Sequence, residues 1–305
     1  MGIATREAYG QVLKELAENK DIVVLDADLG KATKSISFKE VAPDRFFDMG
    51  IAEGDMIGTA AGLATCGKIP FASTFAIFAA GRAYEQIRNS VAYPNLNVKI
   101  AATHAGVTVG EDGGSHQAIE DISLMRGIPN MVVLNPADGI EAKKAIFSAV
   151  DYNGPVYLRL GRATTEDIHN DDYNFKIGKG EILRQGSDVA IIATGIMVSK
   201  AIKSAELLSK EGLEAMVVNI STIKPIDSEL IVEVAKNTGK VVTVEEHSVI
   251  GGLGSAVTEV LSEKYPVVVK RIGINDEFGQ SGNPESLLNY YGLTVENIVS
   301  TAKSF

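Results

Sequence analysis

The chain alternates two kinds of segment, and that alternation limits its fold more than any other feature. Ile22-Val23-Val24-Leu25 is an apolar, β-branched run too short for a core helix, and it reads as a parallel strand buried on both faces. Ahead of it, residues 5–18 place Ala8, Val12, Leu13 and Leu16 at helical spacing, with Thr5 as the expected N-cap. Further strands are predicted near 71–73, 98–102, 131–134 and 156–160, with helices near 54–66, 78–92, 117–126 and 139–150. Strand and helix in turn imply a parallel sheet covered by helices on both faces.

From 161 to 186 the pattern breaks. Thr164-Thr165-Glu166-Asp167 and Asn170-Asp171-Asp172 are polar and turn-forming. A second series starts at Asp188, with strands predicted at 189–193, 215–219, 241–245 and 267–271 and helices at 197–211, 227–236, 252–263 and 294–303. At 305 residues the chain exceeds what a single core usually organises. The expected architecture is α/β with two domains, each a mostly parallel sheet flanked by helices: 1–165, a linker at 166–186, and 187–305.

Composition narrows the partners. With 29 basic and 39 acidic residues the net charge is −10, which argues against nucleic acid or an anionic membrane surface. The single cysteine, Cys66, excludes an internal disulfide framework and suits a reducing compartment, and no Cys/His cluster has zinc spacing, so no metal site is expected on this chain. The least polar stretch, 56–81, is interrupted by Lys68, and each half is shorter than a membrane span. Its Gly58, Ala60, Ala61, Gly62, Ala64 and Gly67 suit close helix packing in a core or a subunit interface. The N-terminus lacks the basic-then-apolar order of a secretory signal. The expectation is a soluble, cytoplasmic protein.

Ligands of open parallel sheets sit beyond the carboxyl ends of the strands. Those positions hold Asp26 and Asp28, the 74–78 segment, the loop 104–117, and Arg159 and Arg162. The loop carries His104, Glu111, Asp112, His116 and several glycines, a set able to bind hydroxyls or move protons near neutral pH. Glu53, between an apolar run and a small-residue helix, is expected to be dehydrated with a raised pKa, or else to be an acid at a helix N-terminus. Phe75 and Phe78 could share a helical face and stack on a planar ring, or simply fill the core. Arg6, Arg159 and Arg162 are candidates for an anion. Gly251-Gly252-Leu253-Gly254 matches a dinucleotide fingerprint only in part and reads as a tight strand-to-helix turn, with Glu245, Glu246 and His247 before it as structural or interface residues.

Taken in order, Ala4-Thr5-Arg6, Asp26-Ala27-Asp28-Leu29, Gly50-Ile51-Ala52-Glu53, Thr74-Phe75-Ala76-Ile77-Phe78, Ala102-Thr103-His104, the segment from Gly110 through Gln117, and Gly273-Ile274-Asn275-Asp276-Glu277-Phe278-Gly279 resemble the C-terminal half of a transketolase over nearly the whole chain. The resemblance implies a pyrimidine-binding domain followed by a transketolase C-terminal domain. It also implies thiamine diphosphate as cofactor and two-carbon ketol transfer from a ketose phosphate of the xylulose 5-phosphate type to an aldose phosphate, as in pentose phosphate metabolism. Glu53 would then hydrogen-bond the cofactor's pyrimidine and Phe75 and Phe78 would pack on it, with Asp28 nearby. Asp112, His104 and His116 would bind substrate hydroxyls, the histidines also assisting proton transfer. Arg6 and Arg162, or alternatively Arg159, would hold the substrate phosphate.

The chain departs from the family pattern at several points. Ala79-Ala80-Gly81 follows the Phe75/Phe78 pair where another aromatic is usual, with Tyr84 as a substitute. Ala32 replaces a serine, leaving Thr33 or Ser35 to stand in, and Ala105-Gly106 replaces a more polar pair. The Gly-Asp-Gly motif and downstream Asn that hold Mg²⁺ and the diphosphate in full-length members do not occur. The implied assembly therefore needs a separate N-terminal-type subunit that supplies Mg²⁺ and the diphosphate site, as a homodimer or an α2β2 heterotetramer. Rival readings are a deoxyxylulose-phosphate synthase-like chain, a 2-oxoacid dehydrogenase E1 β-like chain, and a non-catalytic scaffold subunit.

Overall fold

The computed structural model describes residues 2–305. Within them, one sheet is built from β1 (Ile22–Asp26), β2 (Phe46–Asp48), β3 (Ile69–Phe75), β4 (Lys99–Thr103), β5 (Val132–Leu134) and β6 (Val156–Arg159). A second sheet holds β7 (Glu181–Arg184), β8 (Val189–Ala193) and β9 (Ala215–Asn219). After it β10 (Thr222–Lys224) returns to the first sheet, and β11 (Lys240–Ser248) and β12 (Val268–Ile274) complete the second. The first sheet runs β10-β5-β6-β4-β3-β1-β2 and the second β12-β11-β8-β9-β7. Pairing is parallel throughout except where β10 meets β5 and β7 meets β9. This is the expected two-sheet α/β architecture.

The central strands are what their sequences dictate. Every residue of β1, β4, β6, β8 and β9 is buried, because helices cover both faces of each sheet. The covering helices are amphipathic and locally capped. Asp138 accepts a hydrogen bond from the Glu141 amide at the start of helix Gly139–Asp151, and Asp227 does the same for Leu230 before helix Ser228–Thr238. Thr5 is not the cap expected of it. The first helix starts at Thr5 itself, whose Oγ1 instead accepts from the Gly161 amide at 2.7 Å and ties the N-terminus to the end of β6. The helix Glu53–Thr65 buries Met56, Ile57, Ala60 and Ala61 but leaves Gly58 and Gly62 exposed, with open space where a side chain would stand. The stretch expected as one helix at 78–92 contains two π-helical turns, Phe78–Arg82 and Ile87–Ala92, separated by a single α-turn.

The segment expected to link the domains is partly structural. β7 lies inside it and pairs with β9. His169 is buried and sets Nδ1 2.9 Å from Asp138 Oδ2, with Nε2 3.2 Å from Glu181 Oε2. The Asp138 carboxylate also accepts from the Ile168 and His169 amides. Burial works against a charged His169, but the Asp138 hydrogen bond and the charges of Glu141, Asp138 and Glu181 outweigh it, and its pKa is raised. Among the described residues, no helix is long and apolar enough to cross a membrane.

Candidate active site

Strands β6, β4, β3 and β1 are neighbours in the first sheet, so the loops leaving their carboxyl ends meet at one edge. Phe75 is the last residue of β3 and Phe78 begins the following π-turn; their rings stack with centroids 5.8 Å apart and planes 10° apart. The His104 ring lies on Phe75 at 3.8 Å, and His116 meets Phe75 and Phe78 edge-on at 6.3 and 5.4 Å. The two phenylalanines therefore share a site rather than a helical face, and both histidines of the loop join them.

His104 follows β4 in the left-handed region, at φ 57°. Arg6 Nη1 donates to its Nε2 at 2.9 Å, so a neutral ring carries its proton on Nδ1, which lies 2.9 Å from Thr103 Oγ1. Burial, reinforced by the charges of Arg6, Arg162 and Lys34, pushes its pKa down to about 3. His104 is thus a neutral imidazole with an acceptor nitrogen facing a guanidinium. Arg6 also donates to the Ala32 carbonyl, and its buried Nε has no partner. Burial lowers the Arg6 pKa from its usual value. Arg162 donates to the Val109 carbonyl and lies 3.8 Å from Glu111 and 3.9 Å from Asp112.

Glu53 opens the helix Glu53–Thr65, so it is both dehydrated and at a helix N-terminus. Its side chain is 5% exposed and meets Arg82 Nη1 at 3.0 Å, while the Arg82 guanidinium rests 4.0 Å from the centre of the Phe78 ring. Arg82, which sequence reasoning passed over, occupies the neighbourhood where a third aromatic was sought. Tyr84 instead packs, partly buried, against the large apolar core that runs through both domains.

Other expectations are redirected. Arg159 does not face the edge: it is buried, pairs with fully buried Asp121 at 2.9 Å, and donates to the Ala118 and Glu246 carbonyls. It is an internal rivet and not a phosphate ligand. Thr33 and Ser35 do not substitute for a phosphate-binding serine, because both hydroxyls donate to Asp26 Oδ2 at 2.7 Å. Asp26, its pKa raised by burial, shapes that loop, while Asp28 is exposed at φ 61° with its amide donating to Asp48. Glu245 and Glu246 are buried and their carboxyls are pushed up to about 7 by burial. Glu245 accepts from the Leu253 and Gly254 amides, which explains the glycine turn as a helix cap without a dinucleotide.

Two family descriptions match the chain: the transketolase pyrimidine-binding domain over residues 1–166 and the transketolase C-terminal domain over residues 178–298. The chain is 54% identical over 297 residues to a protein described as a transketolase C-terminal section in Methanocaldococcus jannaschii, covering 96% of this chain and 93% of that one. It is 45% identical to the 6-deoxy-6-sulfo-D-fructose transketolase subunit SqwH of a Clostridium species, covering 97% and 92%. Among solved structures, a split-gene transketolase described as an inactive beta4 tetramer superposes with TM-score 0.91 at 56% identity, covering 99% of this chain and 98% of that one.

Proposed function

The chain belongs to the transketolase family, and on that premise we propose that it is the C-terminal-type subunit of a split transketolase. In this reading it transfers a two-carbon ketol unit from a ketose phosphate, such as xylulose 5-phosphate, to an aldose phosphate, together with an N-terminal-type partner. The observation that carries the reading is the convergence of Glu53, the Phe75/Phe78 stack, His104, His116 and Arg6 at one sheet edge.

These residues fit thiamine diphosphate on chemical grounds. A carboxylate 5% exposed, met only by a half-exposed arginine, can accept a hydrogen bond from a protonated ring nitrogen in place of the one from Arg82. Stacked phenylalanines beside it offer the apolar faces an aminopyrimidine needs. When bound, the cofactor supplies an electron sink for carbanion chemistry. Glu53 would hold the pyrimidine by a hydrogen bond strengthened by its dry setting. His104, neutral with its acceptor nitrogen held by Arg6, would take a substrate hydroxyl in exchange for that guanidinium, and His116 would share proton transfer from the ring edge. Arg6, whose Nε lacks a partner, and Arg162 would bind the anionic end of the sugar. Asp112, at the exposed end of the loop, would select a donor hydroxyl. Among the described residues no three acidic, His or Cys side chains form a metal cluster, and we assign Mg²⁺ and the diphosphate to the partner. A relative that acts on a sulfonated sugar fits the same pair of guanidinium groups, since sulfonate and phosphate offer similar oxygens. An exposed single Cys66 is compatible with a cytoplasmic setting.

The test is to purify the tagged chain from its native lysate, sequence the co-purifying chain and assay the assembly with xylulose 5-phosphate and ribose 5-phosphate, with sulfonated sugars in parallel. A partner bearing Gly-Asp-Gly and ketol transfer that collapses in Glu53→Gln support the reading. Turnover with pyruvate alone overturns it.

A further inference from the structure

The second sheet reverses its strand order at β8: the connection after β8 leads to β9 on one side, and the later connection leads to β11 on the other. In open α/β sheets the crevice beyond the carboxyl ends at such a reversal is where ligands bind. Here that crevice is filled from the first domain. After β8, Thr194 exchanges hydrogen bonds with the side chain and carbonyl of Asn135, which packs on Gly195 so closely that an added Cβ would lie 2.7 Å from it. At the end of β11, Glu246 Oε1 accepts from the Thr108 amide at 2.6 Å. Its carboxylate takes the space where Gly106 would carry a Cβ, at 2.3 to 2.5 Å, and Gly106 has φ 79°. Val107, between these two residues, is fully buried in the apolar core of the second domain with Ile191, Ala193 and Val244.

The far half of the same loop is held too. Gln117 Nε2 donates to the Val107, Gly110 and Gln280 carbonyls. Ser281 Oγ donates to the Glu111 carbonyl at 2.6 Å, and Gly114 lies against the Gly279 carbonyl, with room for no Cβ. The segment from His104 to Gln117 is therefore gripped at both ends by the domain that carries none of the proposed substrate contacts.

We propose that the second domain uses its own ligand crevice to position the catalytic loop, with Glu246 as the positioning residue that fixes Gly106–Thr108 and through them His104. The proposal rests on the transketolase reading for its catalytic consequence but not for the clamp itself. A loop of glycines would otherwise sample many conformations, and displacement of a substrate-binding group by about 1 Å costs about a hundred-fold in rate.

The clamp is read by hydrogen exchange on the full chain. Glu246→Ala is expected to raise exchange of the 107–110 amides about ten-fold or more. Glu245→Ala, which uncaps the helix Leu253–Lys264, leaves those amides protected. Glu246→Gln keeps an acceptor for the Thr108 amide and restores most of the protection. Ser281→Ala, at an exposed hydroxyl that poses no threat to folding, loosens 110–113 by about three-fold. In the assembled enzyme Glu246→Ala lowers kcat about ten-fold or more while KM for thiamine diphosphate stays put. Unchanged exchange at 107–110 in Glu246→Ala, or at 110–113 in Ser281→Ala if the former does not fold, overturns the proposal. Loosened loops in an assembly whose unmodified form performs no ketol transfer leave the clamp standing and remove the transketolase reading.

Discussion

The Arg82 guanidinium bridges Glu53 and Phe78, 3.0 Å from the carboxylate and 4.0 Å from the ring centre. It covers the two groups proposed to receive the cofactor's pyrimidine, so a bound pyrimidine must displace it. A half-exposed ion pair is worth about 0.2–1 kcal/mol. Arg82→Gln is therefore expected to tighten thiamine diphosphate binding to the assembled enzyme by about 1.5- to 5-fold, measured by calorimetry. Weaker binding would show that Arg82 serves the bound state instead.

His104 holds a neutral ring down to about pH 3 because it is buried and faces Arg6. In solution NMR its ring resonances should not titrate between pH 5 and 8. Replacing Arg6 with Met removes one of the opposing charges and should move the titration upward, toward the ordinary histidine range near 6.5. A wild-type titration near neutrality would remove the acceptor role given to Nε2.

Arg159 and Asp121 form a buried pair with side chains 4% and 0% exposed. Removing one partner strands the other charge away from water. Arg159→Met should cost about 3–5 kcal/mol of stability, and the added change Asp121→Leu should recover much of it. Urea denaturation of the single and double variants measures both. A loss no larger in the single variant than in the double would refute the internal role.

His169 and Asp138 give the domain junction a pH window. The His169 pKa is raised in the fold, so its contribution is complete below the unfolded value and fades as pH rises through the folded one. Asp138 is shifted down: burial opposes the charge, but the His169 hydrogen bond and the amides of Glu141 and His169 prevail, so its contribution is present above the unfolded value and fades as pH falls through the folded one. Against His169→Gln, the wild-type advantage in Tm should be largest in mildly acidic buffer and shrink toward alkaline pH. An advantage that grows with pH would contradict the assignment.

Central strands were readable because burial on both faces leaves an apolar run with nothing else to do: β8 and β9 fall where the sequence places them. β7 and β10 were not, because edge strands need little apolar sequence. Glu181-Ile182-Leu183-Arg184 is half-buried along its length, and Thr222-Ile223-Lys224 is three residues long. The site was legible where polar residues follow a strand, as at His104. Arg159 misled because a charged residue at a strand's end resembles one just beyond it; its partner Asp121 was hidden in a predicted helix. Arg82 gave no local signal, since what marks it is Glu53, 29 positions earlier in the chain.

The return of β10 to pair with β5 has a consequence for how the chain comes off the ribosome. Its first sheet lacks its last edge strand until residue 224 has been synthesised, after three strands of the next domain have already appeared. Until then β5 presents unpaired backbone groups, an invitation to mispairing with other nascent chains. Cutting the gene between the two domain families would leave that edge permanently bare, so the units that look separable by ancestry are one unit for the purposes of assembly.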